Sequence, residues 1–116
     1  MTYTSDVDYE YNPWPGMIFT DPAPNTDGDW AKYGCFDHVD YTDKDINAKV
    51  FLGILSGDKE LVAKETGKEN PKVLSAGPED TVFTYFMDHG IDDIVFVGGE
   101  DVSSSQLMAA LKTAYE

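Results

Sequence analysis

The pattern of apolar and polar positions changes character near residue 46 of the chain. From there on it is regular enough to name elements. Val50, Phe51, Ile54 and Leu55 share one helical stripe, which predicts a helix over residues 46–58. Asn47 precedes the stripe as a cap, and Gly57 follows it where a left-handed C-cap is wanted. Ser56-Gly57-Asp58 therefore reads as a helix end. A second short helix is expected over Lys59 to Glu65, stopped by Gly67, with the Gly-Lys-Glu-Asn-Pro-Lys stretch after it as loop. Thr81 to Met87 is a continuous β-prone run with no alternation, and such a run predicts a strand covered on both faces, as in a parallel α/β sheet. Ile94 to Val97 is a second run, preceded by a solvated Asp92-Asp93 turn and broken by Gly98-Gly99. Ser103 and Gln106 have the spacing of a capping box, and Leu107, Met108, Leu111 and Tyr115 form the apolar face of the helix that follows.

Residues 1–45 read differently. Asn12 to Gly16 and Asp21 to Asp29 are turn chemistry, with one short strand expected between them at 16–20. So long a loop-like stretch points either to function or to a piece out of its context. The final helical pattern is still running at Glu116, which suggests an internal piece of a larger domain. The expected organisation is one partial domain over 1–116, with a turn-rich region at 1–45 and an α/β part at 46–116. Helix, strand, short strand and helix in that order argue for α/β layering.

Composition narrows the partners. With 41% hydrophobic residues the chain can build a core, and no apolar run nears the ~20 residues of a membrane helix. Met1 to Asp6 shows no basic segment followed by an apolar one, so no signal peptide is expected. The net charge is −14, from 22 acids against 8 lysines, with no arginine. Such a surface repels phosphate backbones, which argues against nucleic acid as a partner. It suits either plain solubility or work at low pH. The single cysteine, Cys35, rules out an internal disulfide and any zinc site built on several thiolates. The two histidines are His38 and His89, so a two-histidine metal site would need both.

Open α/β sheets gather their chemistry beyond the carboxyl ends of the strands, and His89 lies two residues past the end of the best run. Its imidazole can take a proton from a nucleophile. Gly90 lets the backbone approach a ligand and offer its N–H as an oxyanion donor. Asp88 is the acidic neighbour. The plain alternative is a loop histidine beside a solvated aspartate. Cys35 is a candidate nucleophile with His89 or His38, against an ordinary cysteine packed on Tyr33 and Phe36. Asp6, Asp8, Glu10, Asp27 and Asp29 offer oxygen ligands for calcium, but they do not follow the Asp-x-Asp-x-Asp-Gly spacing of an EF-hand loop and fit a solvated acidic segment better.

Four stretches in order carry a resemblance: Asn-Pro-Trp-Pro-Gly at 12–16, Asp-Tyr-Thr-Asp-Lys-Asp-Ile at 40–46, Phe-Leu-Gly-Ile-Leu-Ser-Gly-Asp at 51–58, and Gly-Pro-Glu-Asp-Thr-Val-Phe-Thr-Tyr-Phe-Met-Asp-His-Gly at 77–90. The chain resembles the legumain, or asparaginyl endopeptidase, family of cysteine proteases. The last stretch is the specific one, similar to that family's strand ending at its catalytic histidine. The resemblance implies a partial caspase-like α/β/α sandwich with a mainly parallel sheet. It implies that His89 is the histidine of a Cys-His dyad, that Gly90 supplies an oxyanion-hole N–H, and that Asp88 neighbours the histidine. It also implies an asparagine-containing peptide or protein substrate, no cofactor, and a lysosomal, vacuolar or secreted setting. In the family the nucleophilic cysteine lies on the strand after the final helix, and Cys35 does not occupy that position. The chain alone is therefore expected to be inactive. Two other readings stand beside this one. One is a non-catalytic acidic α/β interaction module or decayed peptidase homologue. The other is a peptidase-like subunit of the glycosylphosphatidylinositol transamidase kind.

Overall fold

The computed structural model describes Met1, Glu10 and residues 39–115, and the chain divides into two compact units, Met1–Asp43 and Lys44–Glu116. The expected turns at 12–16 and 21–29 and the strand at 16–20 lie outside the described residues. In the first unit the described stretch is 39–43, where Tyr41 is buried.

The second unit begins with two capped helices. Helix α1 (Ala48–Ser56) starts at Asn47, whose side-chain oxygen accepts the Val50 N–H at 2.9 Å. It ends at Gly57, whose φ of 76° lets its N–H reach back to the carbonyls of Gly53 and Ile54. Helix α2 (Lys59–Thr66) follows at once. Asp58 caps it by accepting the Leu61 N–H at 2.9 Å, and Gly67 closes it at φ 75°. The expected boundaries of both helices are met to within about two residues. The helices cross closely where Gly53 faces α2; a Cβ there would sit 2.8 Å from Val62, which is fully buried. Ahead of α1, a 3-10 turn at Asp43–Asp45 buries Asp45, and Lys68 answers its carboxylate at 3.0 Å.

The sheet has three antiparallel strands in the order β1-β2-β3: β1 (Gly90–Ile91), β2 (Ile94–Val97) and β3 (Glu100–Ser103). The α/β content is as expected, whereas the mainly parallel sheet is not what the described residues form. Two-residue turns join these strands, Asp92-Asp93 and Gly98-Gly99, and such short turns permit only antiparallel neighbours. Gly98 and Gly99 have φ of 63° and 80°, the positive values that a tight hairpin turn requires at both central positions. The pair that the sequence marks as a strand breaker is thus a hairpin hinge, and β3 beyond it went unforeseen.

Helix α3 (Ser104–Tyr115) grows directly out of β3 through the expected capping box. Gln106 Oε1 accepts the Ser103 N–H at 2.9 Å, and Ser103 Oγ accepts the Gln106 N–H at 3.3 Å. The core sits where the helices meet the hairpin. Ala48, Val97 and Val102 are buried at its centre, with Ile46, Phe51, Leu52, Val95 and Leu107 packed around them. Leu107 is the one residue of the expected α3 face that joins this core. Met108 and Tyr115 are 65% and 93% exposed. They border a shallow apolar groove on α3 with Leu111 and the stem of Lys112.

The largest departure from expectation is at 81–87. This run forms no strand, and Phe83, Tyr85 and Met87 are 87%, 75% and 81% exposed. Strand propensity describes fit to neighbouring strands, and among the described residues no strand lies alongside this one. Phe86 makes a tilted ring contact with Phe51 of α1 at 5.5 Å between centroids. Upstream, Gly77 to Asp80 closes a tight turn: the Asp80 N–H bonds the Gly77 carbonyl at 3.0 Å, and the Asp80 carboxylate takes the Gly77 N–H at 2.7 Å.

Candidate active site

Asp88, His89 and Gly90 sit where the irregular 81–87 stretch enters the hairpin. His89 immediately precedes β1 rather than following a strand. Its backbone is nonetheless held. The His89 carbonyl accepts the Phe96 N–H at 3.0 Å, which continues the β1–β2 ladder one residue past β1. The His89 N–H donates to its neighbour's carboxylate, Asp88 Oδ1, at 2.6 Å. All three residues are exposed, so the imidazole faces solvent on a backbone held to β2 through the Phe96 bond.

The ladder also orients Gly90. It lies opposite Val95, and the bond from Phe96 to His89 makes this a non-hydrogen-bonded pair. In such a pair the N–H and C=O of both residues point away from the partner strand. The Gly90 N–H therefore points off the outer edge of β1, on the side away from β2. A side chain here would crowd β2, since a Cβ would lie 3.0 Å from the Ile94 carbonyl oxygen. Glycine is what allows β1 to lie this close while its amide stays turned outward.

Chemically, the arrangement offers an accessible imidazole able to move a proton and a neighbouring backbone N–H able to receive an oxyanion. The Asp88 carboxylate is occupied locally by the His89 backbone, so its visible work is to shape the turn. Of the other candidates, Cys35, His38, Asp6, Asp8, Asp27 and Asp29 lie outside the described residues. Among the described residues no three histidine, cysteine or acidic side chains converge as a metal site would require. The Ala48 N–H donates to Glu100 Oε2 at 3.0 Å, and this strap between the hairpin and α1 carried no recognisable signal in the sequence. Two adjacent glycines were its nearest sign.

Against known proteins, the Peptidase C13 family profile matches residues 1–116. The chain is 36% identical to a legumain of Rattus norvegicus over 116 residues, all of this chain and 25% of that protein. It is 34% identical to a hemoglobinase of Schistosoma mansoni over 108 residues, 92% of this chain and 22% of that protein. It is 34% identical to a vacuolar-processing enzyme of Phaseolus vulgaris over 89 residues, 76% of this chain and 16% of that protein. The chain thus spans between about a sixth and a quarter of the length of these relatives.

Proposed function

The chain belongs to the peptidase C13 family, and on that premise we propose that it is the histidine-bearing part of a cysteine endopeptidase domain that cleaves after asparagine. The observation that carries this reading is the pairing of an exposed His89 with an outward-turned Gly90 N–H on one fixed turn. In the reaction, the His89 imidazole takes the proton of a cysteine thiol. The thiolate adds to the carbonyl carbon of the scissile bond, and the Gly90 N–H donates to the resulting oxyanion. The imidazolium returns its proton to the departing amine as the carbon–nitrogen bond breaks. Water, deprotonated by the same imidazole, then releases the acyl group and restores the thiol.

The thiol comes from the strand that follows the final helix in this family, so residues 1–116 alone supply the base and one oxyanion donor. In this reading the single partial domain completes a caspase-like α/β/α sandwich, with 81–87 taken into a mainly parallel sheet as a strand. The substrate is a peptide or protein bearing asparagine, no cofactor is needed, and the setting is lysosomal or vacuolar. The acidic surface, with a net charge of −14, suits such a compartment.

The test is hydrolysis of an asparagine-containing peptide amide by the complete gene product. The expected result is turnover that falls by several orders of magnitude in His89→Ala, on the scale of about 10⁶ seen when one member of a catalytic unit is removed. Residues 1–116 alone should give none. Undiminished turnover in His89→Ala, or His89-dependent turnover by residues 1–116 alone, would refute the assignment.

A further inference from the structure

We infer that Glu100 is a positioning residue for His89, tying the hairpin that carries the histidine to the N-terminus of α1. The catalytic half of this inference rests on the peptidase reading above. Glu100 opens β3 directly after the Gly98-Gly99 turn, and its Oε2 accepts the Ala48 N–H, the first amide of α1, at 3.0 Å across 52 positions of sequence. A carboxylate at a helix N-terminus meets both an orphan donor and the positive end of the helix dipole. Asn47 serves a different amide of the same turn, that of Val50, so the two caps divide the work and only one of them reaches the hairpin.

A second observation fixes the same junction. Gly98 packs so closely on the 46–47 backbone that a Cβ would clash with the Ile46 carbonyl oxygen and stand 2.8 Å from its carbon. From this junction the path to the histidine is short. Glu100 pairs with Val97, the preceding residue Phe96 bonds the His89 carbonyl, and Val97 is buried beside Ala48. The hairpin therefore cannot slide along α1 without stretching the Glu100 contact. A shift of the hairpin is a shift of His89 and of the Gly90 amide together. Catalytic geometry is sensitive to displacements of about 1 Å.

The experiment compares Glu100→Ala, Glu100→Gln and Asn47→Ala in the complete gene product. Asn47→Ala removes a cap from the same helix without releasing the hairpin. Two quantities are read: kcat and KM on the asparagine peptide, and hydrogen exchange at the Phe96 amide. The expected result is a fall of about tenfold in kcat with KM unchanged in Glu100→Ala, together with faster Phe96 exchange. Glu100→Gln, which keeps an acceptor oxygen, should recover most of both. Asn47→Ala should lower Tm while leaving both near wild type at temperatures below its transition. The inference is overturned if Asn47→Ala reproduces the Glu100→Ala effects in proportion to its loss of Tm, or if Phe96 exchange does not respond to Glu100→Ala. Should the wild-type protein show no turnover at all, the peptidase reading falls, and with it the catalytic half of the inference; the exchange measurement still decides whether Glu100 holds the His89 turn.

Discussion

The tight junction at Gly98 makes a quantitative prediction through a matched pair of substitutions, Gly98→Ala and Gly99→Ala. The two glycines are neighbours in one turn, with φ of 63° and 80°, so each methyl group meets a comparable left-handed penalty of about 1–2 kcal/mol. Their surroundings differ completely. A Cβ on Gly99 has nothing within 4 Å, whereas one on Gly98 falls on the Ile46 carbonyl. The obstacle is backbone, so no rotamer change relieves it. The hairpin must back away from 46–47 by more than an ångström. That retreat breaks the bond from Ala48 to Glu100, a charge-assisted one worth about 1.5–3 kcal/mol at most and less at this exposed position. It also loosens the packing of Ala48 against Val97 and Val102. Gly98→Ala should then cost about 3–5 kcal/mol and Gly99→Ala about 1–2 kcal/mol, against a typical domain stability of about 5–15 kcal/mol. Urea unfolding of the complete gene product, followed by tryptophan fluorescence with m held common, gives the difference directly. Equal losses for the two variants, within about 0.5 kcal/mol, would refute the close approach and with it one support of the strap. A Gly98→Ala protein that fails to fold while Gly99→Ala folds normally agrees with the reasoning.

Two further outcomes follow from particular contacts. Lys68 answers the buried carboxylate of Asp45 at 3.0 Å, so Lys68→Met should destabilise by about 1–3 kcal/mol, and adding Asp45→Asn should recover part of that loss because the uncompensated charge is gone; a double variant no better than Lys68→Met in urea unfolding would count against the pair. The exposed row of Phe83, Tyr85 and Met87 should make residues 1–116, prepared alone, self-associate at micromolar concentration, and Phe83→Lys with Met87→Lys should reduce that association in sedimentation velocity; a monomeric parent chain with a sharp thermal transition would contradict this.

The parts of the fold that were legible in the sequence are those whose cause is local. Asn47, Gly57 and Gly67 act on amides and carbonyls within a few residues, so the two helices could be read almost to their ends, although Asp58, read with Ser56-Gly57 as a helix end, proves to cap α2. The Ser103–Gln106 capping box is of the same kind. The failures have the opposite character. The run at 81–87 has the composition of a doubly covered strand, but that composition states a demand for neighbours and cannot supply them. Phe51 answers at Phe86, while Phe83, Tyr85 and Met87 stay exposed. Met108 and Tyr115 fail in the same way on α3. Strand β3 was hidden for another reason: in Glu-Asp-Val-Ser only Val102 turns inward, and one buried residue makes no visible alternation.

The site divides along the same line. Asp88-His89-Gly90 stood out as a candidate because a histidine beside a glycine carries its chemistry in its residue types. Its placement was not, since the strand-end rule set His89 beyond the 81–87 run, while the structure holds it by the far side, through Phe96 of β2. That difference changes what the site depends on. A histidine hung from the end of a strand would answer to the packing of that strand. One fixed by a hairpin answers to whatever anchors the hairpin, and here the anchor is Glu100 and Gly98 against the first turn of α1. Residues 81–87 can therefore remain exposed without releasing the His89 backbone, because its ladder bond is made downstream. The junction between α1 and the Gly98-Gly99 turn is accordingly where changes remote from His89 should reach it.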